Sequence, residues 1–224
     1  MKFTYFKIFS ILSVIISLSS CSKTDLVNTE IATVIPKQGS SFTFTNVHYD
    51  TNGVETYRTN EVDTVVTSAT TFINKSNVVS VVTKIKNVPG DPTNYSYETN
   101  GDISSYFSID SINGLWYTFP VSTQKESTFL FPEYKDSNSL GKSSIKFFPG
   151  IDSDIKVGNE TISTKQVKFT NSSEYYRNNK LVYSSSNDNV MNFSKKIGYI
   201  VRLESIESSP KGKSIRTLIS YSLK

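Results

Sequence analysis

Ile197-Gly198-Tyr199-Ile200-Val201-Arg202-Leu203 and Ile215-Arg216-Thr217-Leu218-Ile219-Ser220-Tyr221-Ser222-Leu223 decide the fold. In the first stretch Ile197, Tyr199, Val201 and Leu203 recur at every second position. In the second, Ile215, Thr217, Ile219, Tyr221 and Leu223 do the same. A period of two sends successive side chains to opposite faces of a strand, so each stretch reads as a strand with one buried face. Pro210-Lys211-Gly212 between them supplies a turn, and strands joined so briefly pair antiparallel. Val167, Phe169, Tyr199, Val201, Leu203, Ile219 and Tyr221 are then expected on one face as the core, with Arg202 and Ser220 opposite.

The same grammar extends toward the start of the chain. Ile155-Lys156-Val157 turns at Gly158-Asn159 into a strand from Thr161 to Ser172. Tyr175-Tyr176 turns at Asn178-Asn179 into Leu181 to Ser185, and Asn192 to Lys196 leads into the quoted stretch. Ser127 to Pro132 and Ser144 to Pro149 are aromatic runs ending in Pro, which reads as a strand end or edge. Asn100-Gly101 and Asn113-Gly114 read as turns, and Trp116, the only tryptophan, as a packing residue. Val88 to Pro92 reads as a loop, with β-branched strands before it at Val62 to Ile73 and Val78 to Ile85, joined at Asn74 to Asn77. The first strand is Ser41 to Tyr49, with a bulge where its apolar parity shifts between Phe44 and Val47. It turns at Asp50-Thr51-Asn52-Gly53 into Val54 to Thr59.

Ser, Thr and Asn make up roughly a third of the chain and Ala is nearly absent, a balance that suits strands and turns. No stretch after Cys21 keeps an apolar stripe at helical spacing. The expected fold is therefore all-β and mostly antiparallel, a meander of about ten to thirteen strands forming a curved sheet, half-barrel or barrel, with a β-sandwich as the alternative.

The first residues address location. Lys2 and Lys7 precede an uncharged run from Ile8 to Ser20, the layout of an export signal and too short to span a bilayer, which takes roughly 20 apolar residues. Leu18-Ser19-Ser20-Cys21 resembles the lipobox of bacterial lipoproteins, and the leader with its Ser, Asn and Tyr content resembles lipoproteins of Bacteroidota. The resemblance implies cleavage before Cys21, acylation of its thiol and amino group, and membrane lipid as a partner through that residue, at the bacterial envelope and in the outer membrane. It also accounts for the single cysteine of an exported chain. The expected organisation is a signal peptide over 1–20, a lipid-anchored flexible tether over 21–40 and one all-β domain over 41–224. Asp63-Thr64-Val65 and Asp110-Ser111-Ile112 look like the O-glycosylation tripeptide of that group, with Thr64 and Ser111 as candidate acceptors.

Little chemistry is visible. Loss of Lys2 and Lys7 takes the formal charge from +4 to +2, without the basic stripe that nucleic acid requires. His48 is the only histidine, which excludes two-histidine chemistry, and it reads as a strand residue. Asp152-Ser153-Asp154 resembles one edge of a calcium loop but lacks the further ligands, and reads as a solvated turn. Glu204 and Glu207 carry the composition of a glycosidase pair without evidence of its spacing. No nucleophile, base and orienting group come together. The expectation is a non-catalytic module with no cofactor or metal, binding or carrying an apolar ligand or partner. A structural or adhesive accessory of an envelope complex is the alternative, and a carboxylate-based hydrolase comes third. A deep apolar pocket favours the carrier; a flat aromatic patch favours the accessory.

Cys21→Ser removes the only acylation site the resemblance provides, so membrane retention and processing should both be lost. Normal maturation with partition into detergent would contradict the anchor.

Overall fold

Period-two alternation, with Asn or Gly at the turns, gives long strands joined by tight hairpins. The computed structural model describes residues 32–108, 114–208 and 211–224, and Ala32–Lys224 forms one compact unit. Among the described residues there is no helix. There are fourteen strands: β1 Ser41–Tyr49, β2 Glu55–Phe72, β3 Lys75–Ile85, β4 Val88–Tyr97, β5 Ile103–Ser108, β6 Gly114–Phe119, β7 Ser127–Leu130, β8 Tyr134–Lys135, β9 Ser139–Phe147, β10 Ile151–Val157, β11 Glu160–Arg177, β12 Lys180–Ser194, β13 Tyr199–Ser208 and β14 Lys211–Ser222. They form one antiparallel sheet in the order β6-β5-β4-β3-β2-β1-β14-β13-β12-β11-β9-β7, with β10 beside β11 and β8 beside β9.

β1 and β14, the first and last strands, pair in the middle of this order, so the two halves of the chain meet there. The sheet is curved and does not close. β6 and β7 end it without pairing to each other, which excludes both the barrel and the two-sheet sandwich. Its concave face holds the core, including Phe42, Phe44, Val65, Val81, Phe147, Val167, Phe193, Val201 and Leu218. Side chains join the two ends across that face. Phe119 on β6 lies 5.3 Å from Phe147 on β9 and 5.5 Å from Phe169 on β11, both edge-on, and Tyr117 lies 5.9 Å from Phe129 on β7. Edge-to-face contacts of this kind add to burial.

Several boundaries differ from the expectation for identifiable reasons. Residues 55–72 are one strand, and so are 160–177. Val88 to Pro92 is paired to β3, because the turn sits two residues earlier, at Lys86 and Asn87, whose φ values are 49° and 67°. β1 runs against β2 in unbroken register from Ser41 to His48, so no bulge explains its parity shift. Asn46 instead takes an inward position and donates to Glu61 Oε1 at 3.0 Å, while Val47 is buried between Ile215 and Arg58. The irregularity belongs to β14. Thr43 pairs with Ser220 and Phe44 with Leu218, skipping Ile219. That extra residue flips the parity, so Leu218 is 1% exposed and Ile219 45% exposed. Ile219 is thus not a core residue. Val167, Phe169, Tyr199 and Val201 are buried as expected, and Leu203 and Tyr221 pack against them.

Residues 34–40, expected to belong to a flexible tether over 21–40, are held against the sheet. Val34 N–H donates to the Lys195 carbonyl, Gly39 N–H to Val65, and Val65 N–H to Ser40, each at 2.9 Å. Pro36 is buried and accepts from Ser68 Oγ, and Ile35 packs against the core. Gly198, at φ +66°, leaves room for this segment, since a Cβ there would lie 1.9 Å from the Val34 carbonyl oxygen. The turn expected at Asn113-Gly114 and the one at Pro210 fall partly or wholly outside the described residues, and Cys21 and Ser111 fall outside them as well.

Val201→Asp buries an unpaired carboxylate at a cost of several kcal/mol against a stability of about 5–15 kcal/mol, so the domain should unfold or fail to accumulate. Ile219→Asp should be folded and soluble. Equal damage from both, measured by thermal unfolding, would contradict the bulge register.

Candidate functional site

The inward positions of β2 read Glu61, Asp63, Val65, two acids in phase with a core valine, and all three are buried. Their partner is Arg216 on β14, whose Nε bonds Glu61 Oε2 at 2.6 Å and whose Nη2 bonds Asp63 Oδ2 at 2.7 Å. The guanidinium also lies over the Phe44 ring, 3.6 Å from its centre. Thr83 on β3 donates to Asp63 Oδ1 at 2.7 Å and Tyr199 on β13 to Asp63 Oδ2 at 2.9 Å. One cluster thereby ties β13, β14, β1, β2 and β3. Burial works against the charge of Arg216, and Asp63 and Glu61 outweigh it, so its pKa lies above the ordinary value. Burial is also the first cause that pushes the phenols of Tyr95, Tyr97 and Tyr199 up, leaving them as neutral donors. Tyr97 uses this to bond the Gly198 carbonyl at 2.6 Å, below the segment that carries Val34.

Among the described residues, the concave side is closely packed. A void between Tyr95, Tyr97, Met191 and Phe193 measures about 10 Å³, no more than a single water could use. Two larger hollows lie on the outside. An apolar groove of about 690 Å³ runs between the Asp50–Gly53 turn and the paired ends of β13 and β14, floored by Tyr49, Ile206 and Ile215, and Ile206 is exposed. It lies at the far end of β1 from Ser41.

The residues singled out in the sequence are dispersed. His48 is half-buried, 5.7 Å from the Tyr57 ring. Trp116 packs on Tyr106 and Phe72 and donates from Nε1 to the Ile73 carbonyl at 3.2 Å. Asp152 and Asp154 lie in strand β10 and not in a turn, Asp152 paired to Lys165 at 2.8 Å. Glu204 is bound by Lys213 at 2.6 Å and Arg202 at 2.9 Å. Burial pushes its carboxyl up, but those two partners outweigh it and hold it below the usual range. Glu207, three residues along the same strand, faces the other way, so the two acids do not flank a common space. Thr64 is half-buried in mid-sheet between Ser41 and Val82, next to the fully committed Asp63. No group of acidic, histidine or cysteine side chains suited to a metal occurs among the described residues.

No protein-family model and no curated protein matches this sequence. Its structure is similar to that of a candidate lipoprotein from Parabacteroides distasonis ATCC 8503, at TM-score 0.50 and 11% identity, over 87% of this chain and 100% of that one. It is also similar to a candidate exported protein with a YmcC-like fold from Bacteroides fragilis NCTC 9343, at TM-score 0.45 and 14% identity, over 85% of this chain and 99% of that one. At 11% identity the likeness to the Parabacteroides distasonis protein is one of fold alone.

Arg216→Met should leave two buried carboxylates without a cation and destabilise the domain by about 3–5 kcal/mol. Adding Glu61→Gln and Asp63→Asn to it should recover part of that loss. A denaturant series in which Arg216→Met costs under about 1 kcal/mol would show that the cluster is only a surface pair.

Proposed function

We propose that this chain is an exported lipoprotein, anchored in the outer membrane through acylated Cys21, that works without catalysis by binding an envelope partner at its surface. The close packing of the described concave face supports this reading. An apolar carrier needs a cavity of some 300–1,000 Å³, whereas the concave side holds a void of about 10 Å³. The exposed apolar groove at Tyr49, Ile206 and Ile215 is of ligand size but open, which suits a protuberance of another protein better than a sequestered lipid. The lipobox supports anchoring, and the likeness in fold to a candidate lipoprotein of Parabacteroides distasonis agrees with it. The reading as a non-enzyme draws support from the dispersed His48, Glu204 and Glu207. Glycosylation at Thr64 would have to precede folding, because Asp63 of its tripeptide is 1% exposed.

A photo-crosslinking residue in place of Ile206, in cells, should yield a discrete protein adduct that Ile215→Lys abolishes, while the same residue at exposed Ser220 yields none. Adducts to lipid alone, or equal adducts at both positions, would overturn surface binding at the groove.

A further inference from the structure

A second hollow, of about 390 Å³, lies where the loop before β9 meets the tip of the β11–β12 hairpin. Its walls are mostly polar and are built rather than incidental. Asp136 organises the loop: Oδ1 accepts the backbone N–H groups of Asn138 at 2.8 Å and Ser139 at 2.7 Å, and Oδ2 accepts Tyr134 Oη at 3.0 Å. Those bonds hold its carboxyl below the usual range, the Asn138 backbone bond first and the Tyr134 bond next. The Asp136 N–H donates to the Ser139 carbonyl at 3.0 Å, and the Asn178 N–H to the Asn138 carbonyl at 2.8 Å, pinning loop to hairpin. Asn178 and Asn179 form the hairpin turn, at φ 49° and 60°, as a two-residue turn of this hand requires.

The turn accounts for their backbones and leaves their side chains unspent. Among the described residues, the amides of Asn138, Asn178 and Asn179 make no hydrogen bond to the protein, though all three line the hollow. Tyr176 adds a ring, oriented by its own bond to Glu174 Oε2 at 2.7 Å. Lys135 and Asp136 balance one another in formal charge. Three amides offer paired donors and acceptors, one ring offers an apolar face, and there is no net charge. That combination fits a neutral polyhydroxylated ligand. A phosphate would call for excess cation, and an apolar ligand for apolar walls.

We propose that this hollow is a binding site for a neutral saccharide, the amides bonding its hydroxyl groups and Tyr176 packing on its C–H face. The inference deepens the surface-binding reading by naming a second ligand class, and rests on it only in requiring that the site be reached from outside. Saturation-transfer NMR on the full chain in detergent micelles tests it, with maltotriose, cellotriose, xylotriose and triacetylchitotriose as neutral probes and tri-galacturonate as the charged one. At least one neutral probe should bind, and Asn138→Ala with Asn178→Gly and Asn179→Gly should weaken it about tenfold or more. Glycine keeps the positive-φ turn, so the variant's melting temperature should match the parent's. Tyr176→Phe should keep most of the binding and Tyr176→Ala lose it. No signal from any neutral probe, binding of tri-galacturonate alone, or a neutral signal unchanged in the triple variant would each overturn the assignment. None of these results touches the crosslink at Ile206, so the two sites fail separately.

Discussion

Arg216 holds the joint on which the rest of the sheet depends. The first and last strands must find each other across the whole chain before the two halves share a core, and such non-local pairing is entropically slow to reward. Ladder hydrogen bonds alone would permit slippage of β14 along β1. The guanidinium permits one arrangement: over Phe44 on β1, with one nitrogen on Glu61 and another on Asp63 of β2. Asp63 then collects Thr83 from β3 and Tyr199 from β13. A buried ion cluster is weak evidence for stability, but this one can be satisfied in a single register, which is its structural use.

From that joint the sheet curls until side chains from its two ends meet across the concave face. Tyr117, Phe119, Phe129, Phe147 and Phe169 fill the gap between β6 and the β9–β7 end with rings. Over the described residues the curvature packs the two halves of the sheet against each other. Two hollows of ligand size lie on the outside, the groove near Ile206 and the amide-lined hollow at the β11–β12 tip, both at the opposite end of the strands from Ser41 and Ser40.

Much of the fold was legible, because alternation is a direct record of a strand with one buried face. Val167, Phe169, Tyr199 and Val201 could be placed in the core from parity alone. Ile219 could not, because a single skipped residue in β14 reverses parity without leaving a mark in the sequence. Arg216 was hidden for a related reason: it sits at what the alternation marks as the polar face, between Ile215 and Thr217, and only the bulge reveals that this face is the inner one. Glu61 and Asp63 did leave a signal, since they share the phase of Val65, but acids in phase with a core are ordinarily read as a frayed strand end. The segment from Val34 to Ser40 has too few apolar residues to announce itself and is held chiefly by backbone hydrogen bonds, which composition does not show. Asn178 and Asn179 were legible as a turn; their unspent side chains became visible only with Asn138 beside them.

A curved sheet that keeps its interior for itself should hold no guest molecule. Native mass spectrometry of the full chain, extracted from membranes in mild detergent and released gently, tests it most directly. The expected mass is that of the protein with the lipid proposed at Cys21 and nothing further retained. A stoichiometric, non-covalently bound lipid, lost only on unfolding, would contradict it and restore the carrier.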